Sequence, residues 1–124
     1  MRATLTRWHE YSKHQILRNV ATKRNKAAQR GMDAYEQAAR TKGHINADGS
    51  FGGVDLDDWR EAFRALGDED ETAKVMRTLF SRAKKQLIEN GEIRAENLRF
   101  YLAGDLAEMR QNLFVTDLRA RKDI

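Results

Sequence analysis

Residues 54–102 read VDLDDWREAFRALGDEDETAKVMRTLFSRAKKQLIENGEIRAENLRFYL, and three observations in that stretch predict a fold class. Apolar residues recur at helical spacing in a short segment and again in a long basic one. An acidic turn, residues 68–71, separates the two segments. After Gly91, alternating residues read as a β-hairpin. That order predicts a mostly α chain with a small β-hairpin wing, a winged helix-turn-helix with extra N- and C-terminal helices.

A chain of 124 residues is one domain's worth and can bury a core without staples. It has no cysteine, so disulfides and thiolate chemistry are excluded. Three histidines without accompanying carboxylates do not make a zinc site. Proline is absent and helix formers dominate. No run of about 18 apolar residues occurs, which argues against a membrane span. The opening MRATLTRWHEYSKHQIL lacks the apolar core of a signal peptide. The expectation is a soluble cytoplasmic protein, nucleoid-associated if it holds DNA. No nucleophile–base pair and no ligand set is evident, so neither catalysis nor a cofactor nor a metal is expected.

The net charge of +4 is segregated along the chain. Residues 1–30 carry eight basic side chains against Glu10 alone, and residues 31–73 carry four against eleven acidic ones. Residues 74–99 return to seven basic against three acidic. Two basic blocks around an acidic one suit either a surface facing a polyanion or mutual pairing of the blocks.

Three parts follow: a basic N-terminal helix over 1–31, a winged-helix domain over 32–103, and a C-terminal helix and tail over 104–124. Thr4 or Thr6 can cap the first helix, whose apolar stripe (Leu5, Trp8, Ile16, Val20, Ala27) is thin. His9 and His14 nearly match a HExxH zinc motif, but five residues rotate the rings by about 140° on a helix. Gly31 permits a break, and Met32, Tyr35, Ala38 and Ala39 then mark the first helix of the wing domain, closed by Gly43.

The stretch HINADGSFGGV reads as a flexible connector ending in a short strand at Gly53 and Val54. It superficially resembles a calcium loop, yet His44 takes the first ligand position and a short aspartate, Asp55, the twelfth. Asp55, with Asp58, is expected to cap the next helix, on which Leu56, Trp59, Phe63 and Leu66 form the inward stripe. Thr72 or Asp70 caps the long helix. The hairpin is expected to turn at AEN, with Leu98, Phe100 and Leu102 on one face. Asp105 can cap the last helix, whose stripe is Leu106, Met109, Leu113 and Phe114. That stripe has three ways to be buried: on the fold, against another copy, or on a protein partner.

The candidate interface follows from the long helix. Met76, Leu79, Phe80, Ala83 and Leu87 share one face, and Lys74, Arg77, Thr78, Ser81 and Lys85 lie opposite, with Arg82 and Lys84 at the margins. Long cations and hydroxyls opposite a core stripe suit a helix that enters the major groove of double-stranded DNA and touches its phosphates. Arg94 and Arg99 flank the wing turn, where backbone or minor-groove contacts are made. Lys23, Arg24, Lys26 and Arg30 would widen the footprint.

The residues Leu56, Asp57, Asp58, Trp59 and Arg60, then Phe80, Arg82, Ala83, Leu87 and Gly91, resemble the winged-helix module at the C-terminal end of phage and plasmid replication ATPases and primases. The resemblance covers residues 32–103 and implies duplex binding in an accessory or regulatory replication role. No Walker A phosphate loop occurs, so the ATPase activity of larger members does not carry over. Winged helices also dock proteins, and the rival expectation is an adaptor or phage-encoded inhibitor that binds a partner through the acidic middle or the last helix.

Overall fold

The computed structural model describes residues 25–122. Its elements run α1 (Lys26–Lys42), β1 (Val54–Asp55), α2 (Leu56–Ala65), α3 (Ala73–Glu89), β2 (Ile93–Glu96), β3 (Arg99–Leu102) and α4 (Ala107–Lys122). The chain is mostly helical with one small antiparallel sheet, in which β3 lies between β1 and β2. Val54 pairs with Phe100, and Ile93 with Leu102. Over residues 32–122 this is the order of elements that the sequence predicts. Residues 1–24, and with them Thr4, Thr6, His9, His14, Lys23 and Arg24, lie outside the described residues.

Gly31 lies within a helix. The chain does not break there: Asn25 caps α1 by accepting from the Ala28 amide at 2.8 Å, and the helix runs unbroken to Lys42. The glycine serves packing instead. A Cβ on it would stand 2.9 Å from the Ala83 Cβ and 3.2 Å from a Leu87 methyl, so α1 and α3 cross almost backbone to backbone. Residues 26–31 therefore belong to the folded unit.

The core gathers around Trp59, which α1, α3 and β3 enclose. Its ring meets Tyr35, Phe80 and Phe100 at centroid distances of 5.5, 5.2 and 5.2 Å. Its indole N–H donates to the Gly31 carbonyl at 2.8 Å, satisfying the one polar atom the ring carries inside. The Tyr35 hydroxyl donates to the Phe100 carbonyl at 2.8 Å, and burial pushes its pKa far above the tyrosine norm, so it stays a neutral donor. Phe63, Phe80, Ala83 and Leu87 complete the helical side of the core, as their spacing predicts.

Other expectations need adjusting. The 43–53 connector is a compact loop, not an open one: Ile45 bridges Phe51, and Phe51 is buried against Phe114. Asp55 sits at the N-cap of α2 but makes no side-chain cap bond; its carboxylate turns to His44 (2.9 Å) and Arg99 (3.6 Å). Leu66 ends up exposed beyond the last turn of α2. The hairpin turns at Asn97 and Leu98, both at positive φ, instead of at AEN. That moves Leu98 off the face of Phe100 and Leu102 and leaves it 94 % exposed. On α4 the buried residues are Phe114, Val115 and Leu118, whereas Leu106, Met109 and Leu113 face solvent.

Replacing glycine by alanine inside a helix ordinarily gains about 1 kcal/mol. At Gly31 the added methyl meets Ala83, so Gly31→Ala is expected to destabilise the fold by about 1–3 kcal/mol, as overpacking does. A urea titration against the parent, with Gly67→Ala excluded as a control because Arg30 crowds that position, measures the sign.

Candidate nucleic-acid interface

The long helix α3 begins at Thr72, whose hydroxyl accepts from the Val75 amide at 3.2 Å. Met76, Phe80, Ala83 and Leu87 are buried along its inner side. That fixes the rotation of the helix and turns Lys74, Arg77, Thr78, Ser81, Arg82 and Lys85 outward, all of them exposed. Lys74, Arg77, Thr78, Ser81 and Arg82 line one shallow open depression of about 400 Å³. Among the described residues no carboxylate pairs with Lys74, Arg77 or Arg82. Lys85 stands 4.0 Å from Glu89, both well exposed, a weak pairing by surface standards. The Thr78 hydroxyl donates back to the Lys74 carbonyl at 3.1 Å, leaving its oxygen free only to accept. Lys84 is half-buried, its ammonium 5.9 Å from the centre of the Phe100 ring.

The wing differs from its expected role. Arg94 pairs with Glu96 on its own strand and lies over the Tyr101 ring at 4.6 Å. Arg99 donates to the Gly52 carbonyl at 3.2 Å and stands 3.6 Å from Asp55. Both arginines are held by neighbouring groups of the chain, and the tip between them offers Asn97 and Leu98 instead of a cation. The hairpin thus supplies shape more than positive charge.

Arg30 does not face outward as its place in a basic run suggests. Its guanidinium donates twice to the Phe63 carbonyl (2.9 and 2.6 Å), pairs bidentately with Glu71 (2.9 and 2.8 Å) and stacks 3.9 Å above the Phe63 ring. With its side chain only 16 % exposed it clamps the fold instead of reaching into solvent. It reinforces the Phe63 carbonyl at the end of α2, which otherwise receives only a long 3.3 Å bond from the Leu66 amide, and ties the acidic turn to α1. Sequence carried a signal for this: Arg30 follows Ala27 by three and precedes Ala34 by four, on the inward stripe of the helix. Lys26, one turn earlier, remains exposed beside Gln29, Asp33 and Leu66.

Among the described residues there is no group of three or more His, Cys, Asp or Glu side chains placed to hold a metal ion. The His44 to Asp55 segment that resembled a calcium loop closes on itself: His44 pairs with Asp55, and Asp48 accepts from Ser50. Among the same residues no helix is long and apolar enough to cross a membrane. Compared with known protein families, curated proteins and solved structures, the chain matches none of them.

The hydrogen bonds from Arg30 hold the Glu71 carboxyl below its ordinary range. A depressed carboxylate contributes stability above the pKa of an unfolded glutamate, about 4.3, and that contribution is lost as the pH falls through the folded value. Glu71→Gln is therefore expected to be less stable than the parent at neutral pH and to lose less stability on acidification. Urea midpoints at neutral pH and in acid measure the difference.

Proposed function

We propose that the chain is a non-catalytic double-stranded DNA-binding protein that lays the outer face of α3 in the major groove. One observation carries the reading. Lys74, Arg77 and Arg82 stand on the side of α3 opposite the core with no carboxylate of the described chain beside them, while the wing arginines and Arg30 are all internally paired. From Lys74 to Lys85 the row extends about 16 Å along the helix, long enough to follow a groove wall. Lys74, Arg77 and Lys85 would meet phosphates or base edges, Ser81 would donate to the backbone, Thr78 would do so only on releasing the Lys74 carbonyl, and Lys26 would reach outward from α1. The resemblance of residues 32–103 to replication modules suggests an accessory or regulatory role in phage- or plasmid-type replication.

The second reading, a protein-docking module, draws support from the other end of the domain. There Leu98 lies bare over a depression lined by Asp55, Leu56, Asp57, Asp58 and Phe100, which suits a partner that is both basic and apolar.

A gel shift on random-sequence duplex over a salt series separates the two. On the first reading log affinity falls with log salt by about 0.9 for each phosphate contacted. Lys74→Ala combined with Arg77→Ala weakens binding uniformly across sequences and lowers that slope by roughly two, with an unchanged circular dichroism spectrum. Arg94→Ala changes affinity little, because its charge is already paired. A parent that fails to shift duplex, or a double variant that binds as the parent does, rejects the proposal.

A further inference from the structure

We infer that the outer face of α4 is a self-complementary surface on which a second copy of this chain packs in antiparallel orientation. The helix is docked on the body through Phe114, Val115 and Leu118. Leu106, just ahead of it, and Met109 and Leu113 within it remain 61, 57 and 58 % exposed. With Thr116 and Ala120, also exposed, they follow one another at alternating steps of three and four residues. At 100° per residue this places them in one stripe on the side opposite the buried face, so a helix laid along it clears the body of the molecule. Steps of three and four are the spacing of a helix–helix seam.

Charge selects the occupant. The mid-helix charges are already held by α1: Arg110 pairs with Glu36, and Asp117 lies 3.6 Å from Arg40. What remains unpaired among the described residues is acidic at the start, Asp105 and Glu108, and basic at the end, Arg119 and Arg121. A second copy running antiparallel sets each acidic end beside the partner's basic end and lays stripe on stripe, with helix dipoles opposed. A parallel copy would set like charges together. Such a contact is isologous, the same residues serving on both sides. One helix pair buries less than a standard interface, so the dimer forms reversibly with concentration. This inference stands apart from the DNA reading; if both hold, the paired α3 helices would suit an inverted repeat.

Sedimentation equilibrium of the full chain over a concentration series tests it. The apparent mass is expected to climb towards twice the monomer mass. Met109→Lys with Leu113→Lys, both at exposed positions, should remain monomeric with an unchanged circular dichroism spectrum. Asp105→Arg with Glu108→Arg should weaken the dimer, and adding Arg119→Glu with Arg121→Glu should restore it, because the reversed ends match again. A parent that stays monomeric overturns the inference. In that case Leu113→Cys, the sole thiol in the chain, reacts slowly if residues 1–24 cover the stripe and fast if nothing does. A dimer that survives the double lysine change, or a charge reversal that is not rescued, also overturns it.

Discussion

The geometry of the domain depends on what Arg30 does between three elements. One guanidinium caps the carbonyl end of α2 at Phe63, clasps Glu71 in the turn that leads into α3, and is itself rooted in α1. A bidentate pair has directional preference as well as strength, so the turn has little freedom to pivot. The close crossing at Gly31, one residue along, then sets how deeply α3 lies against α1. Between them these neighbours fix both the entry point and the depth of the helix that carries the exposed cations.

Much of the fold was legible in the sequence, for reasons particular to its elements. The stripes at Trp59 and Phe63 and at Met76, Phe80, Ala83 and Leu87 each have one apolar side, so their period alone gave element type and rotation. Gly91 at positive φ ended α3 where expected. What escaped was decided by tertiary contacts. Gly31 reads as a breaker until Ala83 is known to face it. Arg30 reads as one more cation in a basic run until the Phe63 carbonyl is set beside it. On α4 the apolar residues occupy two faces, and nothing local says whether Leu113 or Leu118 turns inward; Phe51, packed between Tyr101 and Phe114, decides it from a loop that looked merely flexible. The cationic row of α3 was readable because it is the complement of a strong core stripe. The neutralisation of Arg99 was not, since Asp55 lies far from it in sequence, whereas Arg94 is matched by Glu96 only two residues on.

The surface is thereby divided. Among the described residues the basic blocks meet the acidic middle through Arg30 with Glu71 and Arg99 with Asp55. Most of the acidic residues of α2 are matched within their own helix, Asp57 by Arg60 and Glu61 by Arg64. Pairing of this kind contributes little to stability at the surface, but it removes the counter-charges that α3 would otherwise attract. The long helix keeps its field because its neighbours are occupied with one another.

The turn at Asn97 and Leu98 has a consequence for folding. Two successive residues at positive φ match the twist of the strands they join, and asparagine tolerates that conformation better than leucine does. A tip built without glycine has fewer conformations to lose and fewer alternative loops to form. Slippage by one residue would expose Phe100 and Leu102 to water, and a stiff tip makes that misalignment harder to reach. Leucine at the second of these positions carries a conformational cost that glycine would not, so the register is held by the cross-strand pairs of Ile93 with Leu102 and Ala95 with Phe100.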